Sequence, residues 1–379
     1  SRAPVGYLAI AQNELSTNQG FRNLIIKTGF LPEFIYYLFL DNIDYLKQHA
    51  SGSTFQELSA STLKNMEFLL PEYAVQKGIV GILGNLDDKI ELLREQNKTL
   101  EAIAQAIYKR WFVDFEFPDA KGNPYKSSGG KMVKSELGEI PEGWRVGRIT
   151  NLINIFSGFA FSSLDFFKNG KYKLVTIKNV QDRHFNQVTK DKLINIPKKM
   201  PSYCKLQTGD ILLSLTGNIG RICFVIGENY LLNQRVAKLK PINLNDYAFS
   251  YLLFLQESIF SILQNISSET AQQNLSTVLT KEIKIIIPSR YLLDCFGNIA
   301  NPIIQKINLN NIQTQTLSAL RDSLIPKLMS GKIRVSVIYS PTSSEKHAFL
   351  AGEDGVADTD SAALGLPPSL PGRGKQWPR

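Results

Sequence analysis

A chain of 379 residues, 43% of them hydrophobic and 20% charged, holds enough apolar material for two or three cores, which excludes disorder throughout. Its 43 Lys and Arg against 34 Asp and Glu become 39 against 29 once the last 44 residues, with 4 basic and 5 acidic, are set aside, so the basic excess belongs to the part expected to fold and suits a polyanionic partner as well as solubility. Cys204, Cys223, Cys295, His49, His184 and His347 are scattered without metal-ligand spacing, and no apolar run approaches the roughly 20 residues of a membrane span; neither a zinc site, a disulfide framework nor a membrane segment is expected, and a reducing cytoplasm fits best.

The elements come in two matching series. Ser1 to Leu24 parallels Ser214 to Leu239 at an offset of 214 or 215, pairing Val5-Gly6 with Ile219-Gly220 and Asn18-Gln19 with Asn233-Gln234. From Ser51 to Trp111 the chain returns as Ser268 to Leu328 at a constant offset of 217. Within it, Ser53 to Ser59 matches Thr270 to Ser276, a stretch that includes the cluster Gln272-Gln273-Asn274. Glu67-Phe68-Leu69-Leu70-Pro71 and Lys284-Ile285-Ile286-Ile287-Pro288 both read as apolar strands stopped by proline. A repeat this long is a duplicated domain and not a solenoid unit.

Each proline is followed by a helical pattern. Val75, Ile79, Ile82, Leu86, Ile90, Leu93, Asn97, Leu100, Ala104, Ile107 and Trp111 recur at spacings of three and four, with Glu91, Arg94, Glu95, Lys98 and Glu101 outside the seam. Its counterpart runs from Leu292 through Phe296, Ile303, Ile307, Asn310, Thr314 and Leu317 to Leu328. Two helices, residues 74 to 115 and 291 to 330, are therefore expected to pack antiparallel. Pro302 is expected to kink or restart the second. Asn97 and Thr314 occupy matching seam positions, where a polar residue either fixes register or is tolerated at a loose layer.

Between the helices, Asp119 to Gly130 reads as a linker rich in Gly, Pro, Ser and Lys. Beyond it, β-rich runs at Lys173 to Ile177, Ile211 to Leu215 and Ile222 to Ile226, with a helical stretch near Tyr247 to Leu263, make an α/β domain. Ser336 to Arg379 lacks periodic apolar positions and is expected to be disordered.

Three phrases carry a family resemblance. Ala104-Gln105-Ala106-Ile107-Tyr108-Lys109-Arg110-Trp111-Phe112-Val113-Asp114-Phe115 ends the first helix, Glu136-Leu137-Gly138-Glu139-Ile140-Pro141-Glu142-Gly143-Trp144 opens the following domain, and Leu320-Arg321-Asp322-Ser323-Leu324-Ile325-Pro326-Lys327-Leu328-Met329-Ser330-Gly331-Lys332-Ile333-Arg334-Val335 closes the second helix. Together they resemble the specificity subunits of type I restriction-modification enzymes over residues 1 to about 335. The resemblance implies an α/β fold: duplicated target-recognition domains separated by two long antiparallel, coiled-coil-like helices. It divides the chain into the C-terminal part of a first recognition domain (1–72), a spacer helix (73–116), a linker (117–138), a second recognition domain (139–289), a second spacer helix with its end motif (290–335) and a tail (336–379). The counterpart of Trp144 to Leu213 would precede Ser1, so the first recognition domain is expected to be short of about seventy residues.

The resemblance further implies a non-catalytic subunit without a cofactor that reads a split sequence in double-stranded DNA, one half per domain. Two methylation subunits would dock on the helices, and restriction subunits would join through the assembled methyltransferase. An enzyme reading finds no support in motifs: Asn123-Pro124-Tyr125 lacks a proline of the adenine-methylation loop, Phe156-Ser157-Gly158 has no second glycine where a cofactor turn needs it, no GxxxxGK[ST] loop occurs, and Asp87-Asp88 fits a solvated helix face. The other reading, a coiled-coil scaffold without DNA readout, leaves the basic α/β segments without a role. Candidate DNA contacts in the second domain are Ser157; Lys178, Asn179, Arg183 and His184; Ser214, Thr216, Asn218 and Arg221; and Asn233, Gln234 and Arg235, with Arg2, Asn18 and Gln19 in the first half. These are residue types that reach base edges or phosphates, set in Gly-bearing turns, although turn chemistry alone also selects Gly, Asn and Ser.

Overall fold

The computed structural model describes residues 5–52, 56–268 and 274–335, so Arg2, Ser53 to Phe55, Gln272-Gln273 and the tail from Ser336 lie outside the described residues. The chain divides into two compact units, one built from residues up to Ile90 together with those from Thr316 onward, the other from Glu91–Gln315.

The described part of the first unit is helical: α1 (Pro32–Asp41), α2 (Ile43–Gln48), α3 (Ala60–Lys64) and the opening turns of α4 (Tyr73–Tyr108). Pro32 starts α1 where its missing N–H is not needed, and the Ser59 hydroxyl caps α3 by accepting from Thr62 N at 3.0 Å. Phe34, Tyr37, Leu38, Leu46, Ile79 and Leu83 pack with Ile325, Leu328 and Met329 from the end of α8 (Arg290–Met329), so within this unit the two long helices run antiparallel. Asp87 on α4 accepts from the Tyr37 hydroxyl and from Arg321, each at 2.6 Å. Burial first, and the Asp87 carboxylate next, push the Tyr37 phenol well above its ordinary value. Glu67 to Leu70 pairs with no strand among the described residues, against expectation.

Among the described residues, every strand lies in the second unit. A hairpin of β1 (Met132–Ser135) and β2 (Gly138–Pro141) precedes β3 (Arg145–Arg148), which pairs antiparallel with β12 (Lys284–Ile287). One four-stranded antiparallel sheet has the order β4 (Ile153–Ser157), β11 (Val236–Pro241), β8 (Ile211–Ser214), β9 (Ile222–Phe224). The other, mixed, has the order β6 (Lys192–Leu193), β5 (Tyr172–Val175), β10 (Tyr230–Leu232), β7 (Lys205–Leu206), with β5 and β10 parallel.

Period-2 alternation makes the first of these sheets a partition. Ile211, Leu213, Ile222, Phe224, Ala237 and Leu239 face a core shared with α5 (Tyr247–Phe254), α6 (Glu257–Ser268) and the long helices. Leu212, Cys223 and Val236 face a second core shared with the mixed sheet. Tyr108, Phe112, Phe249 and Phe296 form an aromatic cluster on the helical side, with ring centroids 4.9 to 6.0 Å apart. Here too the long helices are antiparallel: Asn97 donates to Asn311 at 2.8 Å and accepts from Asn310 at 2.9 Å.

The duplication is visible in the helices. α3 and α4 begin 217 residues before α7 (Thr277–Lys281) and α8, and Ser276 caps α7 as Ser59 caps α3. Three expectations change in detail. The helical stretch near Tyr247 to Leu263 is two helices, broken at Leu255 and Gln256. The stretch from Asp119 to Gly130 is ordered, with Tyr125 stacked on Phe117 at 4.5 Å and Asp119 accepting from the amides of Lys121 and Asn123. α8 runs through Pro302 without restarting, because Phe296, Ala300 and Ile304, buried on one face, hold it to the core on both sides of the proline.

Candidate nucleic-acid interface

Strands of both four-stranded sheets end together. β4, β5, β8 and β10 finish there, and β9 and β11 begin there, so the connecting passages are laced by backbone bonds. Phe159 N, just after β4, donates across to Leu232 O in the mixed sheet at 2.9 Å and Gln234 N to Phe159 O at 3.1 Å, while Asn233 N extends the β10–β5 ladder to Val175 O at 3.2 Å. Leu215 N donates to Arg235 O at 3.0 Å, and Leu275 N to Leu215 O at 2.7 Å. Gly158 is required at this crossing, since any Cβ would overlap the Asn233 carbonyl. Rigid strands thus present a cluster of polar loops at one end of the unit, the arrangement that carries recognition in many folds.

The expected residues divide by exposure. Lys178, Arg183, His184, Asn218, Gln234 and Arg235 are exposed; Ser157, Thr216, Arg221 and Asn233 are half-buried. Asn179 and Ser214 are fully buried, which corrects their candidacy. Asn179 Oδ1 accepts from Thr176 N at 2.7 Å, and its Nδ2 donates to the carbonyls of Asn186 and Val188, so it spends its amide closing the loop. Ser214 donates to the Asn218 carbonyl and accepts from Arg221 N at 3.1 Å, pinning the turn between β8 and β9. The Ser157 hydroxyl lies 2.9 Å from that of Thr277, and the Thr216 hydroxyl oxygen is enclosed without a hydrogen-bond partner among the described residues.

Contacts between the expected residues and their neighbours tie the loops together. Arg221 Nη1 donates to Gln181 Oε1 at 2.8 Å, joining the 178–184 loop to the 214–221 turn. Arg183 adopts a left-handed φ of 58°, held by its N–H to Ile222 O at 2.9 Å and flanked by Glu101 at 3.6 Å and Asp182 at 3.8 Å. Burial raises the Glu101 carboxyl above its ordinary value, opposed by Arg183 and by the Tyr251 hydroxyl at 3.2 Å. Desolvation, then the charge of Arg94, lowers the His184 imidazole below its usual value.

The repeated Asn-Gln pair resolves into two duties. Asn233 Oδ1 accepts from Arg235 N at 3.3 Å, and in the first unit Asn18 Oδ1 accepts from Gly20 N at 2.9 Å. Each asparagine closes the same two-residue turn and leaves the next residue, Gln234 or Gln19, exposed at the tip. Charge is concentrated nearby: residues 168–205 carry nine lysines and Arg183 against Asp182 and Asp191. A window count of charge would have found that run. Among the described residues no helix is long and apolar enough to cross a membrane, and no group of His, Cys, Asp and Glu is arranged to hold a metal ion.

The type I restriction modification DNA specificity domain, as a sequence family, matches residues 1–102 and 141–291. The specificity subunit of the type I restriction enzyme MjaIX from Methanocaldococcus jannaschii is 34% identical over 348 residues, covering 88% of this chain and 77% of that protein. The HindI specificity subunit from Haemophilus influenzae is 26% identical over 358 residues, covering 80% of this chain and 78% of that protein. Among solved structures, the type I restriction-modification S subunit from M. genitalium aligns over 80% of this chain and 74% of that one, at 18% identity and a TM-score of 0.49. On the extent of the family match and the identity to the MjaIX subunit, the chain belongs to the type I restriction-modification DNA specificity family.

Proposed function

We propose that this chain reads a bipartite sequence in double-stranded DNA and directs methylation and restriction subunits to it in the cytoplasm, while the chemistry belongs to those partners. The observation that carries this reading is the convergence of loops from two sheets at one end of the second unit, with Lys178, Arg183, His184, Asn218, Gln234 and Arg235 exposed there. Such a surface suits base edges and phosphates together. In this reading residues 1–72 and 139–289 are the two recognition domains, 73–116 and 290–335 are the spacer helices, and 117–138 connects them. The helices receive two methylation subunits, and restriction subunits join through the assembled methyltransferase.

Within the interface, Lys178, Arg183 and Arg221 suit phosphates, and Gln234, Arg235 and Asn218 suit base edges. Ser157, Thr216, Asn233 and Asn18 shape turns, and Gln19 is the first-half counterpart of Gln234. A scaffold without DNA readout is not favoured, because it leaves this loop cluster and its charge unexplained. Gel-shift titration of the chain assembled with its methylation partner, at several salt concentrations, tests the reading. Affinity is expected to fall steeply and linearly on a log–log plot of salt. Absent or salt-insensitive binding would favour the scaffold. Methylome sequencing of a host with and without the gene identifies the target itself.

A further inference from the structure

The mixed sheet carries a charge arrangement that its own stability does not call for. In the antiparallel register of β5 and β6, Lys173 stands directly opposite Lys192, and like charges in that position destabilise a strand pair. Lys173 also sits in register with Tyr230 on β10, its ammonium 4.0 Å from the ring centroid, and Lys171 lies 5.6 Å from the Tyr172 ring. Burial first, and Lys192 next, lower the Lys173 ammonium below its ordinary value, with Glu228 opposing. Lys171 and Lys190 are exposed at the two ends of the same pair of strands. Among the described residues, none of these four lysines forms an ion pair.

Edge strands often carry lysine to discourage pairing with other chains, and Lys192 on the edge strand β6 would serve that purpose alone. Lys173 does not fit that account, because β5 is interior to the sheet and its ammonium is partly desolvated. A ligand that supplies closely spaced negative charge would relieve the repulsion. β5 leads directly into the 176–186 loop at the candidate interface, so the lysine-bearing pair of strands is continuous with that loop.

We propose that Lys171, Lys173, Lys190 and Lys192 form a phosphate-holding strip that grips the DNA backbone beside the bases read by the loops and reads no base itself. The proposal rests on the reading that the second unit binds DNA. The experiment uses the full chain assembled with its methylation partner, a duplex bearing the sequence found by methylome sequencing and an unrelated duplex of equal length. Binding is measured by fluorescence anisotropy across a salt series.

Replacing all four lysines by Gln is expected to weaken both duplexes by the same factor, to leave their affinity ratio unchanged, and to reduce the log–log salt slope by about 3 to 4, roughly 0.9 for each phosphate no longer neutralised. Because Lys173 packs on Tyr230, a second variant with only the exposed residues changed, Lys171→Gln with Lys190→Gln, is expected to lower the slope by about 2. An unchanged slope in that double variant would overturn the strip and leave DNA reading standing. A change in the affinity ratio would also overturn it, by making the lysines base readers. Absence of salt-dependent binding in the unsubstituted chain would overturn both readings at once.

Discussion

Gly158 stands at the crossing of the loops, where β4 ends, and its Cα is so close to the Asn233 and Leu232 carbonyls that a methyl group has no room. The obstacle is backbone and not a flexible side-chain tip, so relief requires the Asn233 turn to move. Gly158→Ala is therefore expected to cost about 1 to 3 kcal/mol of stability, read as a lowered urea midpoint at an unchanged denaturant slope. It is also expected to reduce discrimination between target and unrelated DNA, because the displaced turn carries Gln234 and Arg235. A variant with unaltered midpoint and discrimination would show that the crossing tolerates displacement. Polar, Gly-bearing segments beside strands marked the loops, since turns need those residues. Whether an amide is free was not legible: Asn179 and Gln234 look equally suited to a base edge, yet one is enclosed by Thr176, Asn186 and Val188 and the other is exposed.

At the scale of elements, the long helices were legible because a 3.6-residue period over about ten turns survives any tertiary context. Strand pairing was not, because it is decided by distant partners. Glu67 to Leu70 and Lys284–Ile287 share an apolar run before proline, but only the second meets a partner among the described residues, Arg145–Arg148. The seam's polar residues also acquired their meaning from geometry. Asn97 pairs with Asn310 and Asn311 across the helices, while Thr314, its counterpart in the repeat, has an enclosed hydroxyl without a partner among the described residues. Asn310 is fully buried and its amide donates to Asn97 at 2.9 Å and to Gln96 at 3.4 Å, so Asn97→Ala removes the nearer acceptor and is expected to cost about 1 to 3 kcal/mol. Replacing Asn97 and Asn310 together by Leu removes the buried Asn310 amide along with its acceptor and is expected to cost less than the single change, which leaves that amide short of a partner. Urea titration of the two variants decides it. A double variant less stable than Asn97→Ala would show that the polar layer stabilises beyond mutual satisfaction, and the helix register would then depend on it.

For the molecule as a whole, the two units differ in how their backbone groups are satisfied. In the second, β8 is paired on both sides, by β11 and β9, and its four residues are buried between two cores. In the first, Leu8 to Ile10 and Leu24 align through the repeat with residues of β9 and β11, yet residues 7–27 form no strand. Tyr7, Leu15, Phe21, Leu24 and Ile25 are exposed there, Ile25 at 96%, where Leu239, the counterpart of Leu24, is buried in the sheet. Amide exchange under native conditions follows the opening free energy of each hydrogen bond, which approaches zero for unpaired segments and the global value for central strands. Amides of residues 8–27 are accordingly expected to exchange at nearly unprotected rates, and those of β8 and β11 to be the slowest in the chain. Hydrogen exchange resolved by mass spectrometry, on the chain alone and on the chain bound to its methylation partner, gives the comparison. Protection of residues 8–27 in the unbound chain equal to that of β8 would contradict the arrangement described. Protection that arises only in the complex would place these exposed apolar side chains against the partner.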